Sequence, residues 1–427
     1  MSVSLGLSSI ITTLHMEHFT SHLLHLSAVL LLLFSGNSLV FASSVGINYG
    51  QIANNLPSPD KVVPLVKSIG ADKVKLYDAD PKVLKAFANT DIEFIVGIGN
   101  EYLSKLQDPA FAQSWIKSNV QPYLPATKIT SITVGNEVLT SNDTSLSACL
   151  LPAMQNLQTA LVNLKLDRQV TVTTAHSIAV LGTSYPPSAG AFRGDLEQRI
   201  SPILDFISKT CSPLLINAYP FFAYQKDSKE VPLDYVLFQP NAGIVDSGNN
   251  LRYDNMLFAQ IDAVYAALDK LGYKDLRVQI SETGWPSKGD EDEVGASPEN
   301  AKKYNGKLLK IVKKKNGTPA RPDYDLNVFV FALFNENLKP GPTSERNFGL
   351  FKPDGTPVYN LGFSGISGGG NSGHNNSGTF APPFILPPGN PSYGYMPISS
   401  AERFVWKKNI GMRISIILSV VGWISMV

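Results

Sequence analysis

The chain has 427 residues, 44% of them hydrophobic and 17% charged, enough for one large domain or two ordinary ones with a sizeable core. Its formal net charge is +1, and acidic and basic residues are mixed along the sequence. This balance excludes the strongly basic composition typical of nucleic-acid-binding proteins, so no nucleic-acid partner is expected.

Residues 1–44 are predicted to form a secretory signal peptide. The apolar stretch SAVLLLLF is followed by small residues at Ala42 and Ser44. The segment before it has no Lys or Arg, and a start at Met16 would give it an ordinary length. A transmembrane helix is the alternative, but the apolar run is short for a bilayer.

Residues 45–363 alternate β-rich runs with longer amphipathic segments. The candidate strands are 45–50, 73–78, 93–98, 129–135, 169–175, 213–219, 277–283 and 327–334. Most are nearly continuous apolar runs, as expected for strands that are buried on both faces. Eight parallel strands, each followed by a helix, predict an α/β fold of the TIM (β/α)8 barrel type.

A doubly wound open sheet is the alternative fold. It would normally carry a glycine-rich phosphate loop after its first strand, and NYGQIANNLP lacks that glycine spacing. Helical patterns such as DKVVPLVKSIG (60–70) and FAQIDAVYAALDKLG (258–272) fit either fold, and the second ends at a Gly suited to a helix C-terminus. The count of eight strands favours the barrel.

The cysteines and sequons fit secretion. Cys149 and Cys211 are the only cysteines, too few for a disulfide framework, and the sequence leaves open whether they pair. Asn142, Asn316 and Asn375 begin Asn-X-Ser/Thr sequons and are candidate glycosylation sites.

The C-terminal region changes composition at about Gly365. Residues 364–400 are rich in Gly, Ser, Asn and Pro, which predicts a disordered tether. Residues 401–427 contain a polar spacer and an apolar tail, the pattern of a removed GPI-anchor signal with attachment at Ser399. The expected partner is then the outer leaflet of the plasma membrane. A single membrane span is the alternative.

Several carboxylates follow predicted strands, where a TIM barrel places its active site. Glu137 follows the fourth strand and Glu282 lies at the end of the seventh. Asp78 ends the second strand, Glu101 lies beyond the third, and Glu336 follows the eighth. Two carboxylates facing each other across a sugar can hydrolyse a glycosidic bond, one as acid and the other as nucleophile. A Glu after a strand is often only a helix N-terminal residue.

The neighbours of these carboxylates suggest further roles. Asn136 could bind a sugar 2-hydroxyl, and Trp285 and the aromatic residues of 219–224 could stack on sugars. The earlier tripeptide Gly99–Glu101 repeats the letters GNE found before Val138. There Asn100 is predicted to cap a helix that contains Glu101 in its first turn, which makes Glu101 structural.

The motifs GINYGQIANNLPSP, VGNEV, LGTSYPPSAGAF, INAYPFF, SETGWPS and FALFNENLKPGPTSERNFGLF resemble the plant glucan endo-1,3-β-glucosidases of glycoside hydrolase family 17, over residues 46–363. The resemblance implies a TIM barrel and internal cleavage of (1→3)-β-glucan such as callose, with retention of anomeric configuration. It implies no cofactor and no metal. Many long relatives carry a cysteine-rich carbohydrate-binding module, which is not expected here because no cysteine follows Cys211.

By this resemblance Glu137 matches the acid/base and Glu282 the nucleophile. The charged cluster that supports the catalytic pair in the family corresponds to Glu336, Lys339 and Glu345. The family's cleft positions correspond to Tyr49, Asn136, Tyr219 and Phe222. His176 stands where relatives often carry an acidic or small polar stretch, which puts substrate contacts there in doubt. Two alternatives remain open: a mixed-linkage (1→3,1→4)-β-glucanase, and a wall-glucan-binding protein without catalysis.

Overall fold

The computed structural model describes residues 44–314 and 316–361. The predicted tether and anchor signal lie outside the described residues, as do Asn375, Ser399 and all but the last residue of the predicted signal peptide. Among the described residues, no helix is both long and apolar enough to cross a bilayer.

Within this part of the chain, eight parallel strands close into a barrel. They are β1 (Ser44–Asn48), β2 (Lys73–Lys75), β3 (Glu93–Ile98), β4 (Lys128–Asn136), β5 (Thr171–Ser177), β6 (Leu214–Asn217), β7 (Val278–Thr283) and β8 (Asn327–Val330). Each strand pairs with its neighbours in chain order, and β8 pairs with β1 through Ser44 and Asn327. The predicted TIM barrel is confirmed, and the open-sheet alternative is wrong.

Helices cover the outside of the barrel. They are α1 (Pro59–Ser68), α2 (Pro81–Ala86), α3 (Pro109–Asn119), α4 (Leu146–Asn163), α5 (Glu197–Lys209), α6 (Pro220–Lys226), α7 (Leu233–Val236), α8 (Met256–Lys270) and α9 (Pro298–Lys313). Two short antiparallel pairs, Leu181–Thr183 with Ala191–Phe192 and Ile244–Val245 with Arg252–Tyr253, lie outside the barrel sheet.

The ends of α8 follow from local sequence. The side chain of Asn255 accepts a hydrogen bond from the backbone N–H of Phe258 at 2.9 Å, which satisfies one unpaired donor of the first turn. After Leu271 the chain turns at Gly272, whose φ of 91° is readily adopted only by glycine. The predicted glycine stop of this helix is confirmed.

Four strands end earlier than predicted: β1 stops two residues before Gly50, and β2, β6 and β8 stop within their apolar runs. The runs continue through Tyr77 after β2, Tyr219 after β6 and Phe331 after β8. The Phe331 ring lies 6.5 Å from that of Tyr77 and 6.1 Å from that of Tyr219. These residues therefore pack together where the strands end, and so bring side chains from distant strands to one place.

The cysteines and described sequons lie outside the barrel core. Cys149 is partly buried, Cys211 is exposed, and both are free thiols in the described chain. Asn142 and Asn316 are exposed, so both sequons are accessible to a glycosyltransferase. Their modification remains a prediction.

Candidate active site

Glu137 follows β4 in a left-handed backbone conformation, with φ 54° and ψ 29°. Its Oε1 accepts a hydrogen bond from Asn217 Nδ2 at 2.9 Å. Burial and, to a smaller extent, the negative charge of Glu282 raise the pKa of Glu137 to about 7, although Asn217 and Lys75 act in the opposite direction. A carboxyl group with this pKa is protonated in mildly acidic water and can act as a general acid.

Glu282 lies within β7, and its side chain is completely buried. Its Oε1 accepts from Lys75 Nζ at 2.9 Å and from the Tyr77 hydroxyl at 2.6 Å, and its Oε2 accepts from the Tyr219 hydroxyl at 2.9 Å. A cation and two hydroxyl donors stabilise the ionised form of a carboxyl group. Glu282 therefore has the surroundings of a carboxylate, whereas Glu137 has those of an acid.

Asn217, at the end of β6, connects the surroundings of the two glutamates. Its Nδ2 donates to Glu137 Oε1 and, at 3.3 Å, to Asn136 Oδ1. Its Oδ1 accepts from the hydroxyl of Ser281, the residue before Glu282, at 2.5 Å. Because the Ser281 hydroxyl holds Oδ1, the Asn217 amide is oriented with its Nδ2 toward Glu137.

The charged cluster after β8 is buried next to this pair. Lys339 Nζ lies 3.2 Å from Glu345 Oε2 and 4.1 Å from the centre of the Phe331 ring. Glu336 Oε1 accepts from the backbone N–H of Ile52 at 2.8 Å. Burial raises the pKa of Glu336 and of Glu345, the charge of Glu282 adds to both effects, and Lys339 opposes them. The cluster is thus electrostatically coupled to the pair.

The aromatic residues fall into two groups. Phe222 is partly exposed, and its ring centre lies 5.3 Å from that of Tyr219. Tyr49 is 1% exposed and packs edge-on against Phe334. The prediction that Trp285 stacks on a sugar is wrong for this structure, because the residue is completely buried.

The buried Trp285 has a packing role. Its ring packs against Phe221, Tyr224 and Tyr304, with ring centres 5.2, 6.0 and 5.6 Å away. Its indole N–H donates to the Gly295 carbonyl at 2.9 Å. The side chain therefore stabilises the loop after β7 through its hydrogen bond to Gly295.

The predicted helix N-cap at Asn100 is also wrong. Asn100–Tyr102 form a single 3-10 turn without a side-chain cap, and α3 begins only after Asp108, whose side chain accepts from Ala110 N–H at 2.9 Å. Glu101 is exposed in this turn. The side chain of Asn100 instead binds the backbone of Asn136.

Sequence reasoning missed Lys75, Tyr77 and Asn217 as site residues. A lysine inside the apolar run KVKLYD was the available signal, because a buried lysine requires a partner. His176 is completely buried, and burial lowers its pKa to about 4. It is therefore a neutral residue within β5, and its side chain has no exposed surface for a substrate contact.

The chain is similar to known glycoside hydrolases in sequence and in fold. The sequence profile of the glycosyl hydrolases family 17 matches residues 45–363. Glucan endo-1,3-beta-glucosidase 11 of Arabidopsis thaliana is 59% identical over 393 residues, which cover 88% of this chain and 92% of that protein. Glucan endo-1,3-beta-glucosidase 10 of the same plant is 58% identical and covers 86% of this chain and 91% of its own.

Two solved structures share the barrel. CJP38, described as a beta-1,3-glucanase and allergen of Cryptomeria japonica pollen, is 43% identical with a TM-score of 0.72, over 75% of this chain and 99% of its own. A structure described among two plant beta-glucan endohydrolases with distinct substrate specificities is 38% identical with a TM-score of 0.68, over 74% and 99%. The profile match and these identities show that the chain belongs to the glycosyl hydrolases family 17.

Proposed function

We propose that this chain is a retaining endo-hydrolase of (1→3)-β-D-glucosidic linkages, with Glu137 as acid/base and Glu282 as nucleophile. The observation that carries the proposal is the contrast between the two carboxyl groups. Glu137 has a pKa raised to about 7, whereas Glu282 accepts hydrogen bonds from Lys75, Tyr77 and Tyr219. Environments that differ in this way assign acid and nucleophile in glycosidases.

The reaction then has two steps. Glu282 attacks the anomeric carbon while Glu137 transfers its proton to the leaving glycosidic oxygen, and a glycosyl–enzyme ester forms. Glu137, now ionised, removes a proton from water, which attacks the same carbon and releases Glu282. Asn217 keeps the Glu137 carboxyl in place in both steps, since it can donate to either protonation state.

The (1→3)-β-glucan specificity is proposed from the relatives. Two plant proteins that are 58–59% identical over most of the chain carry the name glucan endo-1,3-beta-glucosidase. A mixed-linkage (1→3,1→4)-β-glucanase is the second candidate, because one similar structure belongs to a pair of endohydrolases with distinct specificities. A glucan-binding protein without catalysis is disfavoured, because the hydrogen bonds to both carboxyl groups are in place.

Release of reducing sugar from laminarin and from lichenan distinguishes these three functions. We expect hydrolysis of laminarin, with much slower hydrolysis of lichenan. Preferential hydrolysis of lichenan would select the second candidate, and hydrolysis of neither would select the binding protein. NMR of the first product should show the β-anomer, and the α-anomer would overturn the retaining mechanism.

The location of the enzyme is part of the proposal. The signal peptide 1–44 would direct secretion, and residues 401–427 would be exchanged for a GPI anchor at Ser399. The segment 364–400 would then join the barrel to the outer face of the plasma membrane, within reach of wall glucan. Glycans at Asn142, Asn316 and Asn375 fit the same route. The support for these points is the sequence pattern alone.

A further inference from the structure

The side chain of Asn100, in the turn after β3, makes two hydrogen bonds to the residue that precedes Glu137. Asn100 Oδ1 accepts from the backbone N–H of Asn136 at 2.8 Å, and its Nδ2 donates to the Asn136 carbonyl at 3.1 Å. One planar carboxamide thus pairs with both backbone polar groups of a single residue, as a neighbouring strand does in a β-ladder.

This pairing occurs where the β3–β4 ladder ends. Its last paired residues are Ile98 and Val134, so Asn136 lies beyond it. On the opposite side, the backbone N–H of Glu137 donates to the Ala175 carbonyl of β5 at 2.8 Å. Asn100 therefore holds the N–H and C=O of Asn136, and β5 holds the next N–H, although regular pairing with β3 has stopped.

The held segment has an unusual backbone conformation. Gly135 has a φ of 65° and Glu137 a φ of 54°, in the left-handed region that an L-residue with a side chain adopts only at a steric cost. A Cβ atom on Gly135 would lie 2.9 Å from Asn100 Oδ1, so the glycine also leaves room for the amide. Such a conformation persists when its surroundings impose it.

We propose that Asn100 is a positioning residue for Glu137: its carboxamide fixes the adjoining peptide, so that the Glu137 carboxyl stays against Asn217. The inference rests on the proposed acid/base role of Glu137 and deepens it. The first GNE tripeptide (99–101) thus contributes the positioning asparagine, and the second (135–137) contributes the glutamate that it positions. Asn100 acts through the backbone and does not touch the reacting atoms.

Removal of the carboxamide should affect acid catalysis selectively. The charged or polar groups that act on Glu137 are Glu282 from β7, Lys75 from β2, Asn217 from β6 and Glu345 from the segment after β8. Burial is the largest cause of its raised pKa. A loosened Glu137 gains water, so its pKa falls from about 7 toward the ordinary value, and the alkaline limb of kcat/KM moves to lower pH. The contacts of Glu282 stay unchanged.

The test compares Asn100→Ala with Glu101→Gln, a neighbouring exposed control, on laminarin and on a dinitrophenyl β-laminaribioside. The dinitrophenolate leaves without protonation, so its departure does not need the acid. For Asn100→Ala we expect kcat on laminarin to fall about 10- to 100-fold, as for a misplaced catalytic group, with KM nearly constant. On the dinitrophenyl substrate the loss of kcat/KM, which reports formation of the glycosyl–enzyme ester, should be much smaller, and Glu101→Gln should match the wild type on both substrates.

Asn100→Asp keeps the acceptor for the Asn136 N–H and should retain more laminarin activity than Asn100→Ala. It also serves as the test variant if Asn100→Ala fails to fold. Equal losses of kcat/KM on both substrates, or an alkaline limb that does not move, would show a general structural role and overturn the inference. Full activity of the substituted enzyme would overturn it as well.

Glu137→Ala, measured alongside, separates this inference from the proposed function. If Glu137→Ala shows no dependence on the leaving group, the acid/base assignment itself has failed. If Glu137→Ala shows that dependence and the Asn100 variants do not, only the positioning role of Asn100 has failed.

Discussion

Lys75 Nζ lies 2.9 Å from Glu282 Oε1, and both side chains are at most 1% exposed. Lys75 belongs to β2 and Glu282 to β7, and the strands β1 and β8 separate them around the barrel. The ion pair therefore connects strands that are not neighbours. Because water is largely excluded from the pair, loss of either partner leaves the other as a buried, uncompensated charge.

Lys75→Met should lower both stability and activity. An uncompensated buried charge costs about 3–5 kcal/mol of the free energy of unfolding. Activity on laminarin should fall by about tenfold or more, which corresponds to a loss of roughly 1.4 kcal/mol of transition-state stabilisation. Urea unfolding and laminarin kinetics measure these two effects.

Lys73→Met is the matched control for this prediction. Lys73 lies on the same strand, and its ion pair with Glu93 at 3.5 Å is partly exposed. An ion pair of this kind contributes at most about 1 kcal/mol. If Lys75→Met behaves like Lys73→Met in both assays, the buried ion pair with Glu282 contributes no more to stability or activity than the partly exposed pair does.

The eight strands could be predicted from the sequence because each is a local apolar run of the right length. The ends of β2, β6 and β8 could not, because Tyr77, Tyr219 and Phe331 are as apolar as the strands that they follow. Hydrophobicity does not distinguish a residue in the ladder from one that packs beyond the end of the ladder. Trp285 was misread for a related reason, since its exposure depends on tertiary contacts with Phe221 and Tyr304.

The candidate site shows the same limit. Glu137 and Glu282 stand in recognisable motifs at strand ends, so both could be named from the sequence. The partners of Lys75 and Asn100 could not be named, because they lie 207 and 36 positions away in the chain. The sequence shows which side chains carry chemistry more readily than it shows which side chains hold them.

Glu282→Ala should abolish hydrolysis of every glucan, because the ester intermediate requires this carboxylate. Glu137→Ala should reduce laminarin hydrolysis by about 10²–10⁴-fold, the usual contribution of a general acid or base. On a dinitrophenyl glycoside, azide should restore turnover to Glu137→Ala and produce a β-glycosyl azide. Azide rescue of Glu282→Ala with an α-glycosyl azide product is expected from a nucleophile position. The reverse pattern of products would exchange the two roles.

Glu137→Gln should stabilise the fold at neutral pH. The pKa of Glu137 is about 7 in the folded chain, against 4.5 for an ordinary glutamate such as that of the unfolded chain, so the folded chain holds this proton more tightly. Stability from this group is therefore fully present below pH 4.5 and is lost as the pH rises through 7, by about 3 kcal/mol. Thermal unfolding should show equal Tm values near pH 4 and a higher Tm for Glu137→Gln at pH 7.5. Parallel Tm curves across this range would contradict the raised pKa.

Lys339→Met should lower activity and move the pH–rate profile while the barrel stays folded. Lys339 opposes the effect of burial on the pKa of Glu336 and of Glu345, so its removal raises both values further. Both groups then lose negative charge near Glu282 and Glu137 at a given pH. Lys352→Met, at an exposed position, is the control. A full-activity Lys339→Met with the wild-type profile would remove this cluster from the site.

The last prediction concerns residues 364–427, which lie outside the described residues. Small residues at 399–401, the spacer ERFVWKKN and the apolar run 410–427 match the roughly 8–12-residue spacer and 10–20-residue tail of a GPI signal. When membranes from cells that express the full chain are dissolved in a phase-separating detergent, the enzyme should enter the detergent phase. Phosphatidylinositol-specific phospholipase C should then release active enzyme into the aqueous phase, and mass spectrometry should find no peptide from 410–427. Enzyme that stays in the detergent phase and still carries that peptide would instead be held by a membrane-spanning tail, because an uncleaved apolar segment resists a phospholipase.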